Sequence, residues 1–364
     1  MTQDVMLPPG DWLTFVESMD GGSIYHVEEF KTMLALGGWS GKVVTVRHAG
    51  EITAGCLLAT KPIPGTGMSI SRVAHGILLA DSAEDGDLEE LLDRLLDATR
   101  RARSIFLKLG VKVVLAREGV PDERGLRVQA ALGRYGCRQD DAPEWSTLWL
   151  DLRRSDDEII AGMTANGRRD LRAGQRAGIN VVERSSLLDL AKFYEMHAHL
   201  YKGKGIAVTP EVIFHQGVRH MVESGHAAVF WAMHGETPMS CAVVSLVGTP
   251  RFLWGGRDVA ATAKTNVPCG QVLQFEIMRT LRERGKRTYD LGGSPSAKLD
   301  RSHPNYGVWH FKRSLGGVHV DFVEGYRLVS SRFLARIYDA VFPVYRKAFP
   351  VSPYLQRRRG ADVT

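Results

Sequence analysis

The 364-residue sequence lacks the marks of several protein classes. No run of 18 apolar residues occurs, which excludes a conventional membrane-spanning helix. Met1 to Gly10 carries no apolar stretch of the kind a secretory signal needs, so a cytoplasmic protein is expected. Only four cysteines are present, Cys56, Cys137, Cys241 and Cys269. None forms a C-x-x-C pair or stands at zinc-finger spacing from a histidine, so no disulfide framework or zinc module is expected. They read as reduced, buried small hydrophobes. No metal motif is visible: His197 and His199 are two residues apart on a helical stretch and do not share a face. No cofactor is expected.

What is present is a soluble, mildly basic composition: 44% hydrophobic, 24% charged, net charge +6 and pI about 9.1. That balance suits a phosphate-bearing partner, whether nucleotide, coenzyme A, tRNA or an anionic membrane face, and equally suits plain solubility. The length suggests two domains. Lys42–His48 and Glu51–Thr60 read as a hairpin about Ala49-Gly50, and Met68–His75 as a third strand. Asp87–Arg103 is an amphipathic helix with Leu88, Leu91, Leu92, Leu95 and Leu96 on one face. Val111–Ala116 and Ser146–Leu152 read as strands flanking a helix over Pro121–Tyr135. The second half repeats the order. A basic helix over Asp156–Arg176 and helices over Leu187–Tyr201 and Pro210–Ser224 lead into a hairpin of Ala227–Met233 with Met239–Val247. Strand Arg251–Gly255, helix Gln271–Arg284 and strands Arg287–Leu291 and Val318–Val323 follow. Cys56 and Cys241 each lie five residues after a Gly-Glu pair in their hairpins, which suggests two copies of one α/β unit joined near Leu152 to Asp156. This order fits an acyltransferase lobe better than a doubly wound nucleotide fold. Phe333–Ala348 is a last helix, interrupted by Pro343, and Arg357-Arg358-Arg359 lies in a basic tail that reads as solvated or as touching RNA or membrane phosphates.

Four stretches carry chemistry. Asn166-Gly167-Arg168-Arg169-Asp170-Leu171-Arg172 leads on to Arg176-Ala177-Gly178, so Arg168, Arg172 and Arg176 are spaced by four on a helix. That stripe is either a phosphate or nucleic-acid contact or a solvated basic face. The others are Phe252-Leu253-Trp254-Gly255-Gly256-Arg257, Thr288-Tyr289-Asp290-Leu291-Gly292-Gly293, and Tyr306-Gly307-Val308-Trp309-His310-Phe311-Lys312-Arg313-Ser314-Leu315-Gly316-Gly317. Asp290 can cap the turn that follows it, or orient an amine or a lysine. If Val308–Lys312 is a strand, Lys312 faces away from Phe311.

In order and spacing these stretches resemble the FemXAB group, which includes the peptidoglycan-bridge aminoacyltransferases; the likeness runs from about Ser146 to Tyr326. The resemblance implies an α/β (α+β) fold of two tandem GNAT-like lobes, with the C-terminal helix packing back on the first. The first lobe is then residues 1–152 joined by 327–364, and the second is 153–326. It further implies transfer of an aminoacyl group from aminoacyl-tRNA to an amine of a small molecule or cell-wall precursor. Lys312 would stabilise the negative charge that develops at the acyl carbonyl; a lysine on an edge strand is the plainer reading. No coiled-coil stretch interrupts the second lobe, which sets the chain apart from bridge enzymes with a long helical arm. Trp254, Arg257, Tyr306 and Phe311 are candidates for lining the acceptor or acyl pocket. Lys204, with Lys202 in the same Gly-rich turn, could clamp an anionic acceptor. A monomer is expected.

Two other functions remain open. An acyl-CoA-dependent N-acyltransferase would need a pyrophosphate turn of the R/Q-x-x-G-x-G/A type, whereas Ala263–Gln271 lacks that glycine pattern and Pro268 removes a backbone donor. A non-catalytic RNA-binding module on the same fold is the third.

Overall fold

The computed structural model describes residues 10–140, 146–203, 208–294, 301–302, 306–330 and 332–348. The first half runs α1 (Asp11–Ser18), α2 (Phe30–Leu36), β1 (Ser40–His48), β2 (Glu51–Ile63), β3 (Met68–Val73), β4 (Leu78–Leu79), α3 (Asp85–Arg101), β5 (Ser104–Arg117), β6 (Val120–Pro121), α4 (Glu123–Tyr135), β7 (Arg138–Gln139) and β8 (Ser146–Asp151). The second runs α5 (Asp156–Gly162), α6 (Ala165–Arg176), β9 (Ile179–Glu183), α7 (Leu187–Gly203), α8 (Glu211–Glu223), β10 (Ala227–His234), β11 (Thr237–Ser245), β12 (Arg251–Arg257), α9 (Val259–Thr265), α10 (Gly270–Glu283), β13 (Thr288–Gly293), α11 (Tyr306–Ser314), β14 (Val318–Val329) and α12 (Arg332–Ala348).

All the strands join one sheet whose main path is β1-β2-β3-β5-β14-β8-β13-β12-β11-β10-β9. The two halves are the same unit twice. The hairpin β1-β2 matches β10-β11, with a bulge at the same distance from each turn. β3 and β12 add antiparallel, and β5 and β13 follow in parallel after a crossover helix, α3 or α10. Each lobe is then closed by a strand from the other half: β14 pairs with β5, and β8 with β13. β8 and β14 also pair with each other over Val318–Asp321, so the exchange welds the lobes into one sheet. The junction at 152/153 is therefore a boundary along the chain but not across the sheet. The registers also correct the repeat's detail. Cys56 opposes Val44 and Cys241 opposes Trp231, which puts them one residue out of step, on opposite faces and in different cores.

Leu88, Leu91, Leu92 and Leu95 of α3 are almost fully buried, each worth about 2 kcal/mol of apolar transfer. That helix begins two residues earlier than its periodicity suggests. Glu84 is its N-cap and Asp87 completes a capping box. α10 covers the second lobe in the same way. On the other sheet face α1, α2, α7 and α8 fill a core shared by both lobes, where Gly217 of α8 lies against Met33 of α2. α12 returns to this core: Ala335 is buried in it, and Tyr338 meets Phe106 of β5 edge-on at 5.1 Å. The helix continues through Pro343 rather than stopping there.

Candidate functional site

The four motif stretches converge. The Asp156–Arg176 stretch is two helices, broken at Met163-Thr164, where the Thr164 hydroxyl caps α6 by accepting from the Gly167 backbone N–H. Gly167 is there because a Cβ would sit 2.3 Å from the Ser314 carbonyl, and Thr164 N donates to that same oxygen at 3.1 Å. Gly316, at φ 84°, lies equally close to the Gly162 carbonyl. α11 is thus locked by its end onto α5 and α6. It is a helix where the alternation of Val308, His310 and Lys312 suggested a strand. As a helix it turns Lys312 inward and leaves Val308 and His310 exposed.

Lys312 is 9% exposed, and its ammonium donates to the carbonyls of Gly292 (3.1 Å) and Gly293 (2.7 Å) at the end of β13. Gly292 adopts φ +77°, open to glycine at little cost. Asp290 sets that turn: its Oδ1 accepts from Gly292 N at 2.6 Å and from the Thr147 hydroxyl, while Oδ2 takes the Arg251 guanidinium. The structural reading of Asp290 as a cap is therefore the observed one. Burial opposes the charge on Arg251, but Asp290, then Tyr25 and Glu324, raise its pKa overall. A Cβ built at Gly292 would lie 3.1 Å from the Phe252 carbonyl oxygen, 3.8 Å from Lys312 Nζ and 3.9 Å from Arg251 Nη2. Two cations, one of them paired with Asp290, thus flank this glycine beside a backbone carbonyl.

Beside it, at the lobe junction, a cleft about one water wide is lined by His75, Lys112, Trp149, Arg251, Asp290 and Phe322. Lys112 lies 4.2 Å over the Phe322 ring and pairs with Glu324. Trp149 meets Phe322 edge-on and carries the Arg117 guanidinium on its face. Deeper in, the Ser23 hydroxyl bridges His26 Nδ1 (3.1 Å) and His75 Nδ1 (3.0 Å), and His26 Nε2 donates to the Gly76 carbonyl at 3.0 Å. Burial lowers the His26 pKa to about 4; burial and Lys112 push His75 well below its ordinary value. Both rings are neutral at pH 7.

The other expected residues scatter. Phe311 packs against Gly270 next to Lys312, and Tyr306 stacks near Trp309 and His310 two turns up the helix. Trp254 is 4% exposed in the shared core against Phe214, and Arg257 is exposed at the far end of β12 from Arg251, about 20 Å along the strand. Lys204 lies outside the described residues. Of the basic stripe, Arg168 donates to the Ala161 and Met163 carbonyls and so caps α5, whereas Arg172 and Arg176 are exposed. Burial raises the pKa of all four buried thiols, Cys137 to about 11, which removes them as nucleophiles. Among the described residues no cluster suits a metal and no helix is long and apolar enough to cross a membrane.

Sequence reasoning missed Arg251, Lys112 and Thr147. Lys112 had a signal, a charge inside an apolar strand; Arg251 stood one residue before a motif. Thr147 had none, because its partner is 143 residues away.

The Acetyltransferase (GNAT) domain family matches residues 161–313. A Lipid II:glycine glycyltransferase of Staphylococcus haemolyticus (strain JCSC1435) is 21% identical over 405 aligned residues, covering 92% of this chain and 94% of the relative. A crystal structure of FemX superposes with a TM-score of 0.80 at 16% identity, over 91% of this chain and 98% of that one. A tandem GNAT protein from the clavulanic acid biosynthesis pathway gives 0.50 at 16% identity, over 88% and 94%.

Proposed function

We propose that this chain, a FemXAB-like protein of two tandem GNAT lobes, transfers an aminoacyl group from aminoacyl-tRNA to an amine on a cell-wall precursor or related small acceptor. The observation that carries the reading is the Lys312 ammonium, buried and fixed on the Gly292 and Gly293 carbonyls beside Arg251. The acceptor amine attacks the ester carbonyl carbon, and the C=O electron pair moves to oxygen. Lys312, with Arg251 behind it, stabilises that oxyanion. Collapse expels the ribose hydroxyl oxygen, which takes up the proton lost by the amine. The ester is already activated, so no covalent enzyme intermediate is needed. Arg172 and Arg176 offer the RNA backbone a basic face. Such a donor places the reaction in the cytoplasm, and one sheet shared by both lobes suits a monomer.

Acyl-CoA is the less favoured donor for a physical reason. The helix start that would hold its pyrophosphate is occupied in both lobes. In the first, Glu84 and Asp87 fill the α3 N-terminus with their own carboxylates. In the second, the Pro268 carbonyl packs on Gly174 and Gly270 packs on Phe311. The test is to offer the protein bacterial tRNA charged with labelled amino acids, or a set of acyl-CoAs, with a small-molecule extract as acceptor. Amides that need charged tRNA and vanish with RNase support the proposal. Amides formed only from a CoA thioester, or none with either donor, overturn it.

A further inference from the structure

Ser23, His26 and His75 form a hydrogen-bonded chain at the lobe junction that runs in one direction only. The Gly76 carbonyl can only accept, so His26 carries a proton on Nε2. His26 is fully buried and neutral, so its Nδ1 is an acceptor. The Ser23 hydroxyl, 3.1 Å away, must then donate to that nitrogen. Its oxygen is left to accept, and the partner at 3.0 Å, His75 Nδ1, must be the donor. His75 is thereby held as the Nδ1–H tautomer, with its lone pair on Nε2. That nitrogen has no hydrogen-bond partner among the described residues and is not sealed from the cleft His75 lines. The ring is fixed as well as oriented. Tyr25 stacks on it at 4.6 Å, and its backbone holds φ +59°, a conformation the surroundings must enforce on a residue with a side chain. Trp149, 8% exposed, lines the same cleft, and its indole N–H has no partner among the described residues either.

We propose that His75 Nε2 binds the attacking amine of the acceptor and takes its proton as the new amide forms. The inference rests on the aminoacyl-transfer reading. Arg251 and Asp290 line the cleft with His75, and Asp290 sets the turn at Gly292 whose carbonyl holds Lys312, so the base stands next to the oxyanion cation. The cleft is about one water wide, which admits an amino group and excludes a bulkier nucleophile. Burial, then Lys112 and Arg251, lower the His75 pKa, so the field at the ring is positive. That field disfavours an ammonium ion and favours the neutral amine, the form that attacks. The amine nitrogen bonds to the ester carbon, its proton passes to His75 Nε2, and the C=O pair moves to the oxygen beside Lys312. As that pair returns, the C–O bond to ribose breaks and the leaving oxygen takes the proton from the imidazolium. A poorly stabilised imidazolium is a strong acid toward that leaving oxygen. Ser23 and His26 act through the tautomer and are positioning residues.

The first test needs no donor. In full-length protein labelled on the histidine nitrogens, long-range proton–nitrogen NMR at pH 7 should show His75 as the neutral Nδ1–H tautomer. Trifluoroethylamine, a primary amine that is neutral at that pH, should move the His75 Nε2 resonance. Ser23→Ala should release the tautomer and give a mixed signature, which a packing role alone would not produce. The second test is single-turnover transfer from aminoacyl-tRNA. His75→Asn, chosen because asparagine tolerates a positive φ, should slow transfer roughly 100-fold with tRNA affinity unchanged, and Ser23→Ala should slow it roughly tenfold. An Nε2–H tautomer, an Nε2 resonance indifferent to the amine, or a folded His75→Asn within a fewfold of wild type overturns the inference. If wild type transfers nothing from charged tRNA, the donor reading fails instead, and the amine titration still decides whether His75 holds an amine.

Discussion

Replacing Arg251 by Met should do two separable things. Arg251 and Asp290 are both nearly buried, with side-chain exposures of 12% and 7%. Breaking such a pair from one side typically costs about 3–5 kcal/mol, because it strands a buried charge. Here Asp290 keeps the Thr147 hydroxyl and the Gly292 N–H, so the lower end, about 3 kcal/mol, is expected. Asp290→Asn alone should also destabilise, by weakening the hold on Gly292 N. Once Arg251 is gone, however, Asp290→Asn should cost much less, a coupling of about 2 kcal/mol in a double-mutant cycle. Urea unfolding of the four proteins measures this. The functional consequence comes through Gly292: when its turn loosens, Lys312 loses its seat, and transfer should slow even where the protein stays folded. A single variant as stable as wild type, or strictly additive double substitution, would refute the view that this pair fixes the turn.

Other outcomes follow from the same geometry. Charge reversal at Arg172 and Arg176 should weaken tRNA binding most at low salt with little loss of stability; reversal at Arg168 should instead unfold the α5–α6 corner, which it caps. A salt series with tRNA and a melting curve for each variant would separate the two. His26 is neutral when folded, with a pKa near 4, and has a pKa of about 6.5 when unfolded. Between those values the unfolded state binds the extra proton, so stability is present above about pH 6.5 and is lost as the pH falls toward 4, by about 3 kcal/mol from this group. His75 adds to the loss in the same direction. Unfolding free energies at pH 7 and pH 5 should differ less in His26→Gln than in wild type.

The legible parts of the fold were local. The leucine spacing of α3, the two hairpins and the paired order of the halves follow from side-chain periodicity, which neighbours in sequence decide. The exchange of β8 and β14 was not legible, because β14 meets β5 some 200 residues away and no local pattern names a partner. Lys312 was read as though its segment were a strand, and it stands on a helix. Five alternating residues look alike as a strand edge and as one turn and a half of helix, and here α11 is decided by docking Ser314 and Gly316 on α5 and α6. Arg168, Arg172 and Arg176 share a helical face as expected, yet the break at Thr164 puts Arg168 to structural use. Trp254, a candidate for lining the acceptor or acyl pocket, sits on the strand face that packs into the shared core against Phe214.

The most direct test of the account is single-turnover transfer from preformed aminoacyl-tRNA by Lys312→Met. Methionine keeps most of the length of the side chain and removes the charge. The account predicts a chemical step slowed by roughly 100-fold in the folded variant, about 3 kcal/mol of oxyanion stabilisation, with tRNA affinity close to wild type and an unfolding midpoint lowered by the loss of the two carbonyl contacts. A step within a fewfold of wild type would contradict it and leave Lys312 as a strut for the Gly292 turn.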